Sequence, residues 1–93
     1  MPRIRTTPHL NRYFPALSAG PVEVQARLSV ADLIRELDRR FPGLAAYLVD
    51  DRGALRQHVV VFVDNRPIDD RVGLSDEVDE SADVFIAQAL SGG

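Results

Sequence analysis

The 93-residue chain has no cysteine, no lysine and no tryptophan. Without cysteine, disulfides, thiolate metal sites and a cysteine nucleophile are excluded, so any sulfur chemistry must run through a group that is not a side chain. Without lysine the chain offers no side-chain amine for isopeptide bonds, because all eleven basic residues are arginine. No apolar run approaches the roughly 20 residues needed to span a bilayer. Nor does Met1-Pro2-Arg3-Ile4-Arg5 open an apolar stretch with a small-residue cleavage site, so a cytoplasmic location is expected. A chain of this length builds one domain with a single modest core and has little room for a deep active site. A binding or carrier role is favoured over an intrinsic enzyme.

What is present is an ordinary globular composition, 45% apolar and 27% charged. The net charge of −3 hides an asymmetry. Between positions 64 and 83 lie Asp64, Asp69, Asp70, Asp76, Glu77, Asp79, Glu80 and Asp83 against Arg66 and Arg71, a balance of −6 that leaves +3 on the rest. An acidic face disfavours nucleic acid and suits a basic protein surface; a solvated loop explains the same residues.

Residues 3 to 7 alternate and read as a strand, broken by Pro8. The stretch up to Gly20-Pro21 reads as a broad turn anchored by Leu10, Tyr13, Phe14 and Leu17. Val22 to Arg27 alternates at period two and predicts a half-buried strand. Ser29 then opens a helix with Asp32 three positions on, a capping signature. Val30, Leu33, Ile34, Leu37 and Phe41 recur at helical spacing, and Pro42-Gly43 stops the helix. Leu44 to Leu48 predicts a short turn carrying Leu44, Tyr47 and Leu48 onto the core, before an exposed turn at Asp50-Asp51-Arg52-Gly53. His58 to Val63 is the strongest strand signal, ending in a tight turn at Asp64-Asn65. Arg66-Pro67-Ile68 predicts a short edge strand, and Asp83 to Ala87 the last strand. Gln88 to Gly93 contains no element that could pack.

His9 and His58 have no partner at metal-ligand spacing, and Asp69-Asp70 reads as an adjacent acid pair on a polar turn. The chain has no Ser/His/Asp order, phosphate loop or stripe of basic and aromatic residues. No metal site and no nucleic-acid or membrane partner is expected.

Three features in order, namely the capped helix Ser29-Val30-Ala31-Asp32-Leu33-Ile34 to Phe41-Pro42-Gly43, the strand and turn Val59 to Asn65, and the ending Gln88-Ala89-Leu90-Ser91-Gly92-Gly93, carry a likeness. Over essentially its whole length the chain resembles the sulfur-carrier family of the molybdopterin-synthase small subunit and the thiamin sulfur carrier (MoaD/ThiS). Its length and the stretch Ala45 to Gln57 look most like the CysO-type carriers of cysteine biosynthesis.

The resemblance implies an α+β, ubiquitin-like β-grasp domain over residues 1–87, with a mixed four- to five-stranded sheet packed on one main helix, and a flexible diglycine tail over 88–93. It implies no bound cofactor. An adenylating, sulfurtransferase enzyme of the ubiquitin-activating type would use ATP to adenylate the Gly93 carboxylate. A thiocarboxylate would follow, donating sulfur through a sulfur-accepting synthase to cysteine or a related metabolite, to molybdopterin or to thiamin. Leu90, Ser91 and Gly92 would thread the partner. Two glycines suit a narrow channel, where a Cβ would collide with the walls, and six extended residues reach about 20 Å.

If Val59, Val61 and Val63 face the helix, Val60 and Phe62 point outward. Val84 and Ile86 would likewise leave Phe85 and Ala87 outside. In the β-grasp order the last strand lies beside the third, making Phe62 and Phe85 neighbours. Phe62, Phe85 and Val60 are thus the expected partner-binding patch. Two other functions fit the same sequence: a ubiquitin-like modifier conjugated through Gly93, and a non-covalent interaction module with an idle tail.

Overall fold

Ile4 is buried between two exposed arginines in strand β1 (Arg3–Thr6), the period-two pattern written in its sequence. The computed structural model describes residues 1–24 and 27–88. It builds a five-stranded mixed sheet from β1, β2 (Val22–Glu23), β4 (Val59–Val63), β5 (Arg66–Pro67) and β7 (Asp83–Gln88). The strand order is β2-β1-β7-β4-β5, with β1 and β7 parallel and every other pair antiparallel. A separate ribbon joins β3 (Leu28–Ser29) to β6 (Glu77–Val78). The α+β class is as expected, with the sheet at five strands.

Helix α2 (Val30–Arg40) begins where the capping residue stands: the Ser29 hydroxyl accepts the Asp32 N–H at 3.1 Å. The Asp32 carboxylate does not complete a reciprocal box but pairs with Arg35 at 2.6 Å. Val30, Leu33, Ile34 and Leu37 are buried in one stripe against the sheet's inner face. Each such side chain contributes roughly 1.5–3 kcal/mol on leaving water, so this stripe, and not the exposed pairs of Glu36 with Arg39 and Arg40, holds the helix in place. After Phe41 the chain turns at Gly43, whose φ of +97° suits glycine. The Asp38 carboxylate accepts the N–H groups of Gly43 and Ala45 at 3.1 and 3.0 Å, tying the end of α2 to α3 (Leu44–Leu48).

Several segments differ from their sequence pattern: β4 begins at Val59 and not at His58, β5 stops before Ile68, Glu77–Val78 adds a strand, and three further differences are larger in extent or consequence. The broad turn after Pro8 is instead helix α1 (Pro8–Tyr13) followed by a 3-10 turn (Pro15–Ala19), each opened by a proline whose fixed φ and missing N–H fit a first helical turn. Leu10 and Leu17 anchor it in the core, but Tyr13 is 58% exposed. The strand expected over 22–27 is shorter. Only Val22 and Glu23 pair with β1, Leu28 and Ser29 pair with β6, and Gln25 and Ala26 lie outside the described residues. Finally, the last strand runs one residue further than its alternation indicates, because Gln88 pairs with Val59.

Candidate functional site

The outer face of the sheet is built by alternation along β4 and β7. Val59 and Val61 are buried and Val60 and Phe62 half-exposed; Val84 and Ile86 are buried while Phe85 keeps 36% of its surface. Phe62 and Phe85 stand directly opposite in register, their ring centroids 6.3 Å apart and tilted by 33°, and Val60 stands opposite Ala87. The three residues expected to form one patch therefore do share one face.

The register extends that patch across the sheet. Arg5 pairs with Phe85 on one side and Pro67 with Phe62 on the other, so Arg5, Phe85, Phe62 and Pro67 form a row over four strands. Arg5, Phe62, Asn65 and Phe85 line a shallow depression of about 420 Å³. Asn65 reaches it from the β4–β5 turn, where Asp64 and Asn65 both adopt left-handed backbone, at φ 51° and 69°. Such a pair matches the twist of a two-residue hairpin. Asp64 then locks the turn to β7, accepting the Asp83 N–H at 3.0 Å and donating its own N–H to the Asp83 carbonyl at 2.8 Å. In the neighbouring row Arg3 stands between Glu23 and Asp83.

Leu90, Ser91, Gly92 and Gly93 lie outside the described residues. What is seen is the strand that leads to them. At Gln88, opposite Val59, β7 reaches the sheet end away from the β4–β5 turn. Gln88 lies three positions beyond Phe85, about 10 Å of extended chain.

The acidic segment divides into two groups. The Asp70 carboxylate accepts the N–H of Val72, Gly73 and Ser75 at 3.1, 2.8 and 3.2 Å and the Ser75 hydroxyl at 2.6 Å. Asp76 accepts the N–H of Asp69 and Asp70 at 3.0 and 2.8 Å. With Asp64, these carboxylates staple local backbone. They hold Leu74 buried at a φ of +55°, a conformation costing a non-glycine residue roughly 1–2 kcal/mol. Asp69, Glu77, Asp79, Glu80 and Asp83 remain exposed.

Bonded first by the Ser75 hydroxyl and then by the Gly73 amide, Asp70 has its carboxyl lowered to about 2. Because the folded chain favours the ionised form, this stabilisation is complete above the ordinary carboxylate range near pH 4 and is lost as the pH falls toward 2. Asp70→Ala is expected to melt below the parent at pH 7, with the gap closing between about pH 4 and pH 2 in circular-dichroism melts. A gap that stays constant through this range would exclude the carboxylate as its source.

Among the described residues, no group of three or more His, Cys, Asp or Glu is placed to hold a metal ion, and no helix is long and apolar enough to cross a membrane. His9 packs edge-on against Tyr13 at 5.6 Å, and Tyr13 in turn lies 5.1 Å from Tyr47. Arg5, Asn65 and Pro67 were not singled out as site residues from sequence. The outward orientation of Arg5 is legible in the alternation of β1, but its place beside Phe85 depends on a pairing between the two ends of the chain.

A helix laid across a five-stranded sheet whose first and last strands run parallel at its centre is the ubiquitin-like β-grasp fold. The structure matches a chain of the Amycolatopsis orientalis BexX/CysO complex with a TM-score of 0.80 and 24% sequence identity, over all of both chains. It matches SAMP1 from Haloferax volcanii with a TM-score of 0.74 and 18% identity over 99% of this chain and 98% of the other. For the solution structure of the Haloferax volcanii HVO 2177 protein the values are 0.68 and 22%, over 99% and 85%. At these identities the likeness is one of fold. No family model and no curated protein matches the sequence.

Proposed function

We propose that the chain is a cytoplasmic sulfur carrier, a co-substrate of partner enzymes whose working atom is the carboxyl carbon of Gly93. A carboxylate at neutral pH is a poor electrophile and needs a leaving group before sulfur can replace oxygen. An adenylating enzyme supplies it. A Gly93 carboxylate oxygen attacks the α-phosphorus of ATP, the bond to the β,γ unit breaks and pyrophosphate departs with the electron pair. Hydrosulfide, delivered by a sulfur donor, then attacks the acyl carbon. The carbon–oxygen bond to AMP breaks, the proton goes to solvent, and a thiocarboxylate remains for a sulfur-accepting synthase. ATP belongs to the partner; the carrier holds no cofactor of its own.

The observation that carries this reading is the end of β7. A strand paired on both sides as far as Ile86, and with β4 as far as Gln88, leads out of the sheet, and the sequence continues for five residues to Gly92-Gly93. Five extended residues reach about 17 Å, enough for Leu90, Ser91 and Gly92 to thread an enzyme entrance and present Gly93. Phe62, Phe85 and Val60 supply the dock beside that exit. Likeness to a chain from the BexX/CysO complex supports both the carrier role and a protein partner.

Intact-mass measurement on protein purified from its own host tests the proposal. A fraction of the molecules should carry one sulfur in place of one oxygen, located in the C-terminal peptide. Its absence from cells that also express the adenylating partner and a sulfur source would sink the idea.

Likeness to SAMP1, a small archaeal modifier protein, favours a second reading in which Gly93 is joined to amines on other proteins. Denaturing blots separate the two, since a modifier gives a ladder of higher-mass conjugates and a carrier does not.

A further inference from the structure

The outer face of the sheet carries two arginines in unlike settings. Arg3 stands in register with Glu23 on one neighbouring strand and Asp83 on the other, so an acid flanks it on both sides, although among the described residues its guanidinium forms no ion pair. Arg5, two residues on, has Phe85 on one side and no strand partner on the other, because β2 pairs with β1 only at Arg3 and Ile4. It is exposed, and among the described residues its guanidinium has no ion pair and no hydrogen bond. An unmatched cation therefore rims the Phe62–Phe85 depression of a protein whose net charge is −3.

We propose that Arg5 selects the protein that docks on Phe62 and Phe85, and that this partner offers an apolar side chain for the depression and a carboxylate for the guanidinium. The inference rests on the carrier reading and adds the chemistry of the contact to it. Two phenylalanines by themselves accept almost any apolar surface. A guanidinium at their edge changes that, because its planar fork bonds a carboxylate bidentately and like charge against it is repelled. Arginine beside aromatic rings is also the composition of binding hot spots. The exposed acids of 69–83 attract a basic partner at long range, whereas Arg5 demands one acid at the point of contact. The surface so recognised is basic overall with a carboxylate set beside an apolar side chain.

The test uses the full chain and the adenylating enzyme of the same organism, recognised as the one that releases pyrophosphate from ATP only when this chain is added. Arg5→Glu should raise the KM for the chain about tenfold or more with kcat within about twofold. Arg5→Lys, which keeps the charge and loses the fork, should fall between that variant and the parent. Arg3→Glu, in the row flanked by Glu23 and Asp83 and away from the depression, should stay within about twofold of the parent KM. Unchanged melting temperatures for all three establish that the fold survives. A KM for Arg5→Glu within twofold of the parent, or an equal rise for Arg3→Glu, overturns the assignment while leaving the carrier reading intact. No pyrophosphate with the parent chain and any adenylating enzyme of the organism overturns both.

Discussion

Removal of Gly92 and Gly93 is expected to cut pyrophosphate release by the adenylating partner roughly 100-fold or more, with no change in melting temperature. The new terminal carboxyl, on Ser91, falls two residues short, about 7 Å in extended chain, and misplacement of even 1 Å at a reacting centre can cost about 100-fold. Ser91 also brings a Cβ and a hydroxymethyl group to the position that a glycine should occupy. Stability is expected to stay unchanged, since among the described residues the sheet pairing ends at Gln88, opposite Val59. A single alanine added after Gly93 keeps both glycines but overshoots by one residue and ends in a Cβ-bearing position, and should be equally inactive. If the truncated chain is activated at the parent rate, the tail is idle and the plain interaction module is the better account.

The second large effect is on stability. Ile86→Ala is expected to cost roughly 2–5 kcal/mol in urea unfolding, the range for emptying a buried aliphatic site. Ile86 is fully buried, with Val61 opposite it on one neighbouring strand and Thr6 on the other, so the hole opens where the sheet is covered on both edges. For a domain whose whole stability is about 5–15 kcal/mol, that is a substantial share. Phe85, one position earlier on the opposite face, is 36% exposed, and Phe85→Ala should cost distinctly less stability while weakening the partner contact. Equal losses for the two variants would contradict the assigned faces of β7.

The contrast shows which parts of the fold can be read from sequence. Long segments with a period declare themselves. The α2 stripe from Val30 to Leu37 lies where its spacing indicates, the Ser29 hydroxyl caps the helix, and Asp64-Asn65 makes the hairpin turn. Two-residue strands carry no period, so β3 and β6 emerge only where Leu28 meets Val78 across more than half the chain. Pro8 reads as a strand breaker, yet it starts a helical turn, as Pro15 does after it, because proline forbids the interior of a helix and fits its first residues.

Site legibility follows the same division. Alternation along β4 and β7, with the family strand order, was sufficient to join Phe62 to Phe85. Arg5 was not recoverable in the same way, since its neighbour is set by a pairing between residues 80 positions apart. The acids of 64–83 looked uniform by composition. Only hydrogen bonds distinguish Asp70 and Asp76, bound to backbone, from Asp69 and Glu77, turned to water.

The parallel contact of β1 with β7 has a consequence for biosynthesis. Besides its short antiparallel contact with β2, β1 finds its longer hydrogen-bonding neighbour in β7, some 80 positions on, a long-range closure that slows assembly. While the ribosome still shelters the carboxyl-terminal segment in its exit tunnel, the middle of the sheet has a gap and the nascent molecule stays exposed to proteases. A product cut short before β7 would therefore lack the strand on which both halves of the sheet close.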